Sequence, residues 1–452
     1  MEYLQYFISF WLILILLLSF VKLKVGVSLF LLYMICVPFV MINIGDKTLG
    51  VNVINTTFLV SYLLHVYLKN EKIDWQPFVP FIAYYLLALV VIPLQSGMPL
   101  IDMFDQWRKD VMMYTFLPFV MWNVMKNDHS SIKLFKNTIL LGIVIAVAYG
   151  LFLTTQGGNN PYQMIMLIIS GGNGNDVDWA AYYSAFGSGR IFGRISSIFQ
   201  HPMQFALFLG FSSIYVFFIR KYFKKPVFVV LVAAIGFMAV ACGVRSVLGG
   251  LVVTTVYYFL KERNLRMAAY IVFFGIFFYL VVSQIPMMSA YLGSVADINN
   301  SSGAISGGSS IGSRIDQFYG AIDEMKNDPY LGLGYGWTDY YQRLYGNHPV
   351  CYAFESLLMV IICNYGAYGF VLWGILICGV LQNNAKMNLK ETSLVNALFV
   401  FYVSYSCITG DYGYVKFFLI FYVLMLGESL TNDSEDECDD SEGEAEKEKE
   451  GV

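Results

Sequence analysis

Residues 311–381 read IGSRIDQFYGAIDEMKNDPYLGLGYGWTDYYQRLYGNHPVCYAFESLLMVIICNYGAYGFVLWGILICGVL. The stretch starts polar, passes a glycine-rich turn from Gly332 to Gly336, sets His348 before an apolar run, and stays apolar to Leu381. An apolar run of this length is a membrane-span signal. Residues 350–381 exceed one straight crossing, so Asn364 to Gly369 is expected to break them into a short outer helix and a span proper. The stretch predicts an all-α polytopic membrane protein, with a polar loop held over one face of a helical scaffold.

Working outward, the chain repeats that signal. Hydrophobic residues make up 57% and charged residues 13%, against about 45–50% and 25% in soluble domains. An ordinary soluble enzyme is excluded, and no nucleic-acid partner is expected. Candidate spans are 3–21, 25–42, 49–68, 77–94, 111–125, 134–154, 198–219, 227–243, 247–260, 267–284, 350–381, 394–409 and 413–428. About 12–14 transmembrane helices follow from these windows. Met1 to Phe20 lacks a basic leader and a small-residue cleavage site, so it reads as a first span. The seven cysteines are scattered without a C-x-x-C pair, which argues against a zinc site or a disulfide framework. No acidic cluster suggests a bound metal, and no cofactor is expected.

Basic residues orient the set. Short connections bearing Lys22 and Lys24, Lys69 and Lys72, Lys126, Lys133 and Lys136, Arg220, Lys221, Lys224 and Lys225, Lys261, Arg263 and Arg266, and Lys386 and Lys390 hold 16 of the 28 lysines and arginines. The positive-inside rule makes them cytoplasmic. Two of the opposite, outward connections are long, and loops of that length are usually functional or disordered. The organisation read from this is N-terminal spans (1–154), an outer loop (155–197), central spans (198–284), a large outer catalytic loop (285–349), C-terminal spans (350–428) and an acidic tail (429–452). Eleven acids and two lysines between Asp433 and Glu450 predict a solvated, disordered cytoplasmic tail.

The outward-facing charges carry the chemistry. Arg245 interrupts an apolar run in VACGVRSVLGG. A charge at membrane depth costs roughly 2.5–3.5 kcal/mol on insertion scales and is usually kept for a partner. One reading is a snorkelling side chain; the other is a guanidinium fork aimed at phosphate oxygens. Arg190 and Arg194 stand four apart and would share one helical face. Arg314 opens the helix-like part of the large loop, with Asp316 or Asp323 as ordinary partners. His201 and His348 both precede proline, which favours a first helical turn, so both are expected near helix N-termini. Glu355, seven residues after His348, would then lie two turns below it on the same face. Tyr335, Trp337, Tyr340 and Tyr341 offer rings for sugar stacking, or belong to the aromatic belt common at membrane interfaces.

The order of motifs resembles the bacterial O-antigen ligase/polymerase superfamily. It runs S-I-F-x-H-P at 197–202, V-R-S-x-L-G-G at 244–250, S-R-I-D at 313–316, P-Y-L-G-L-G-Y-G at 329–336, N-H-P at 347–349 and G-A-Y-G-F at 366–370. The resemblance covers roughly residues 180–380. It implies a glycosyltransferase in the bacterial cytoplasmic (inner) membrane, its active site facing the periplasm, acting on an undecaprenyl-diphosphate-linked glycan. Polymerases of the family extend O-antigen or capsule repeat units; ligases move the glycan onto lipid A-core to complete lipopolysaccharide. Membrane lipid and other polysaccharide assembly proteins are the further partners implied. Arg245 and Arg314 match the family's arginines that engage the diphosphate, and His348 matches the histidine that acts on the acceptor hydroxyl. Ligases usually place asparagine after that histidine, where Pro349 stands here, which leans the reading toward polymerase.

The resulting expectation is a metal-independent, inverting transfer. Its catalytic residues would be His348, Arg245 and Arg314, and its substrate-binding residues Arg190, Arg194, His201, Tyr335, Trp337 and Glu355. A lipid-linked glycan flippase is the rival, and it predicts internal repeats and charges at mid-membrane. A cell-wall polymerase would need an essential outer aspartate such as Asp297, Asp316, Asp323 or Asp328.

Overall fold

The structure is a computed structural model and describes residues 2–37, 41–44, 47–156, 160–169, 195–263, 311–387, 389, 391–410 and 416–430. The candidate span 267–284, both Arg190 and Arg194, and the tail beyond Leu430 lie outside the described residues. Among the described residues five helices are long and apolar enough to cross a membrane: Val51–Lys69, Gln76–Leu94, Ser130–Thr155, Leu357–Lys386 and Thr392–Thr409. Shorter apolar helices are Tyr6–Val21, Leu23–Cys36, Pro202–Phe218 and Lys225–Ala241. This is the make-up of a multi-pass membrane protein.

Three expected spans are drawn differently. The run 25–42 ends as a helix at Cys36, where Val37 turns extended (φ −111°, ψ 109°). Pro38 follows, and a proline bars the α conformation from the residue before it. Met41–Ile44 then pairs antiparallel with Lys47–Gly50, a hairpin that the all-α expectation did not contain. The run 111–125 is divided at Thr115 between Leu100–Tyr114, which carries five charged residues, and the buried Phe116–Asn127. The run 350–381 becomes a helix only from Leu357, capped by the Ser356 side chain accepting from the Leu358 N–H. Its break falls at Gly366 (φ 58°, ψ −145°), inside the window read from the sequence.

The core is aromatic. Residues 416–430 form a helix whose Phe417 to Leu426 are all buried, as expected of a segment apolar all round. Phe418 stacks on Tyr402 at 5.1 Å, and Phe421 meets Phe208 and Phe211 at 5.8 and 5.7 Å. Helix Thr392–Thr409 packs on Pro202–Phe218, Arg245–Glu262 and Leu357–Lys386 and so ties the halves together.

The two ends of the bundle differ in charge. At one end the basic connections meet acids across the chain. Lys24 pairs with Asp128 at 2.8 Å, Arg220 with Glu391 at 3.3 Å, Lys136 with Glu428 at 3.2 Å, and Lys126 with Asp74. Lys136–Glu428 is largely buried, while solvent-exposed pairs contribute about 0–1 kcal/mol each. The other end carries residues 95–114, 195–203, 243–245, 311–356 and 405–410, and it holds a second apolar cluster built around Met98, Tyr335, Trp337, Phe354 and Tyr365.

Candidate functional site

The glycine-rich turn docks into the helix break. Breaking a helix frees backbone groups that water cannot satisfy at membrane depth. Here the loop supplies them: Leu333 N–H donates to the Cys363 carbonyl (2.8 Å) and Gly334 N–H to that of Asn364 (3.3 Å). In return Ala367 N–H donates to the Pro329 carbonyl and Tyr368 N–H to that of Tyr330, both at 2.9 Å. Gln95 locks the joint, its Nε2 donating to the Leu331 and Asn364 carbonyls (2.5 and 2.8 Å) while its Oε1 accepts from Tyr335 N–H (3.0 Å). Gly332 and Gly366 face one another backbone to backbone, both at positive φ.

The segment from His348 to Ser356 is a turn, which corrects the expected helix with Pro349 in its first turn. His348 and Tyr352 exchange backbone hydrogen bonds of 2.8 and 2.9 Å, and Tyr352 and Phe354 adopt positive φ. The ring explains this geometry. His348 Nδ1 accepts from Val350 N–H (3.2 Å) and Cys351 N–H (2.9 Å), so the ring closes the turn on its own backbone. Its Nε2 lies 3.0 Å from Glu324 Oε1, and the residue is only 3% exposed, packed on Tyr341 and Phe354. With amides on Nδ1, the proton of a neutral ring sits on Nε2 and points at Glu324. Glu355 accordingly serves Arg314 rather than His348: Arg314 reaches the Glu355 carboxylate at 2.7 Å and its carbonyl at 2.6 Å.

This arrangement makes His348 a pin between the turn and helix Ile311–Glu324. His348→Ala is expected to lower stability by about 2–4 kcal/mol, because the buried Cys351 amide loses its acceptor and the ring leaves a cavity against Tyr341 and Phe354. The heat-unfolding midpoint of the detergent-purified protein measures it. An unchanged midpoint would contradict the pinning role.

Three of the expected site residues, Glu355, His201 and Arg245, connect to the C-terminal end of helix Thr392–Thr409. Ser356 Oγ, beside Glu355, donates to the Cys407 carbonyl at 2.6 Å. Tyr405 donates to the carbonyl of Met203 at 2.7 Å. Two residues before Met203, His201 caps helix Pro202–Phe218, its Nδ1 accepting from Met203 N–H at 3.1 Å, as its sequence position predicts. Gly249 faces Ile408, and one turn earlier Arg245 opens helix Arg245–Glu262. That helix start is unusual. Its N-cap is Val244, which offers no side-chain cap, and the positive end of the helix dipole disfavours a cation. Ser246 buries its hydroxyl there without a hydrogen-bond partner among the described residues.

Beside the docked loop lies a cavity with an empty volume of about 920 Å³, its open mouth included. Phe81, Trp373, Leu376 and Phe399 form its apolar wall, and Tyr84, Tyr85, Tyr114, Tyr335, Tyr365 and Tyr402 ring it with phenols. Two carboxylates line it, Asp110 and Asp339. Asp110 is held by Tyr335 OH (2.9 Å) and Gln106 Nε2 (3.0 Å). Burial, then the Asp110 charge, push the Tyr335 hydroxyl well above its ordinary value, so it stays a donor. Asp339 opens into the mouth; the surrounding protein pushes its carboxyl upward, and Arg343 opposes this.

Tyr335 thus reaches the cavity as expected, whereas Trp337 is buried beneath the loop against Phe354. Gln95, Asp110 and Asp339 were not singled out from the sequence. The signal for Asp110 was available: the moderate hydropathy and five charges of 100–114 mark an amphipathic helix, not a span. Compared with known proteins, the chain matches no family model and no curated sequence.

Proposed function

We propose that the protein is a membrane glycosyltransferase of the O-antigen polymerase/ligase type, moving a glycan from a lipid diphosphate to a sugar hydroxyl at the outer face of the bilayer. The observation that carries the reading is Arg245. It stands at an uncapped helix N-terminus with an unsatisfied buried hydroxyl beside it, at the same end of the bundle as the tyrosine-lined cavity. A helix N-terminus binds phosphate well, and an arginine there adds a guanidinium fork suited to phosphate oxygens. Arg314, oriented by Glu355, supplies a second guanidinium as charge develops on the leaving diphosphate.

The proton of the attacking hydroxyl goes to a carboxylate in this reading. The His348 ring nitrogens already face two amides and Glu324, so His348 acts by position. Asp339 lines the mouth of the cavity with its carboxyl raised by the surrounding protein, the direction that makes a carboxylate a stronger base. A transporter would use the freed backbone of a broken helix for its substrate. At Gly366 the groups from Cys363 to Tyr368 named above are occupied by the loop, which favours the enzyme.

The test is a surface-glycan ladder from a deletion strain complemented with the wild-type gene or with Arg314→Ala. Single repeat units after deletion identify a polymerase, and polymer stranded on the lipid carrier identifies a ligase. Arg314→Ala is expected to shorten or remove the product. A normal ladder from the deletion strain would sink the transfer reading.

A further inference from the structure

Resting on that transfer reading, we infer that the cavity beneath Gly336 holds the sugar end of the acceptor and selects neutral or amino sugars over acidic ones. The lining decides the class of ligand. Among the described residues its ionisable side chains besides tyrosines are Asp110 and Asp339, and no lysine, arginine or histidine lines it, Arg343 acting on Asp339 from outside the lining. A diphosphate or a uronic acid placed there would meet like charge, which costs several kcal/mol across a desolvated contact. The anion therefore belongs to the Arg245 and Arg314 end, and the cavity belongs to the other reactant.

What remains is suited to a ring of hydroxyls. Tyr335 OH and Gln106 Nε2 donate to the two Asp110 oxygens and fix the carboxylate at the cavity wall. Among the described residues no hydrogen bond engages the Asp339 carboxylate, although it faces the mouth. Tyr84 OH donates to Tyr365 OH at 3.3 Å, and both rings line the cavity. Tyr84 stands edge-on to Trp373 and Tyr85, giving flat apolar walls that fit the C–H faces of a pyranose. Asp110 comes from helix Leu100–Tyr114, Tyr335 from the docked loop, and Asp339 from helix Trp337–Tyr345. The three are brought together only when the loop seats in the helix break.

The experiment uses the full chain purified in detergent and three soluble probes: methyl glucoside, the amine methyl glucosaminide and the anion methyl glucuronide. Binding is followed by intrinsic tryptophan fluorescence, since Trp373 lines the cavity. Saturable changes are expected for the first two, the amine binding more tightly. The glucuronide should bind at least about tenfold more weakly than the neutral sugar, the least that like-charge repulsion implies. Asp110→Asn with Asp339→Asn should abolish the charge order while the neutral glucoside still binds, which also shows that the double variant is folded. Equal binding of all three probes, no saturable change with any, or a charge order that survives the double substitution would overturn the inference. A normal ladder from the deletion strain alongside intact charge selection would refute the transfer reading and leave the sugar site. A lost ladder without charge selection would do the reverse.

Discussion

Gly332→Ala and Gly366→Ala are each expected to destabilise the folded protein by about 3–5 kcal/mol. Two terms combine. A non-glycine residue at positive φ costs roughly 1–2 kcal/mol, and the φ values here are 72° and 58°. The second term is contact. A Cβ on Gly332 would stand 2.5 Å from the backbone nitrogens of Gly366 and Tyr365, and one on Gly366 2.6 Å from the Pro329 carbonyl oxygen. No flexible side chain can move aside to relieve either. Separating the loop from the helix would leave the groups at Cys363, Asn364, Ala367 and Tyr368 unsatisfied, each costing about 1–3 kcal/mol when buried. Gly346→Ala isolates the first term, because Gly346 has φ 76° but nothing within 4 Å of a built Cβ. Heat-unfolding midpoints of the three variants in one detergent decide the matter. Equal losses at Gly332 and Gly346 would mean that the docked joint contributes nothing beyond the turn.

That joint shows where sequence reading reaches its limit. The helix break and the glycine-rich turn were each legible, because Gly366 and Gly332 announce local backbone needs. Their union was not, since it is a contact between segments with no shared periodicity, closed by Gln95 from a third part of the chain. The spacing of His348 and Glu355 misled for a related reason. Seven residues place two side chains on one face only within a helix, and the His348 ring takes the amides of Val350 and Cys351 for a turn instead. Arg314 and Glu355 could not be matched from sequence, because helix Ile311–Glu324 approaches the turn through tertiary packing with Leu357–Lys386. Asp339 lies among aromatic neighbours, where a single acid carries no pattern. By contrast His201 was legible, since a side-chain acceptor before a proline is a local helix-start signal and the capping bond is local too.

Arg245→Ala is expected to reduce glycosyl transfer about 10²–10³-fold, the usual effect of removing one preorganised donor from developing negative charge, while leaving protein abundance at the wild-type level. Helix Arg245–Glu262 is held by its packing on Thr392–Thr409, through Gly250 against Phe401 and Tyr405, and these contacts lie a turn or more from the guanidinium. Arg245→Lys should recover part of the rate, because lysine keeps the charge but not the planar fork that grips two phosphate oxygens. Arg314 gives the contrasting case. Its guanidinium also holds Glu355, so Arg314→Ala should lose stability along with rate, and Glu355→Gln should reproduce the stability part alone. Initial rates of product formation, normalised to membrane protein level and set beside unfolding midpoints, separate the two arginines. If Arg245→Ala lowered abundance and left the rate per molecule intact, the residue would be a snorkelling anchor for its helix, and the anion would have to be sought elsewhere on the outer face.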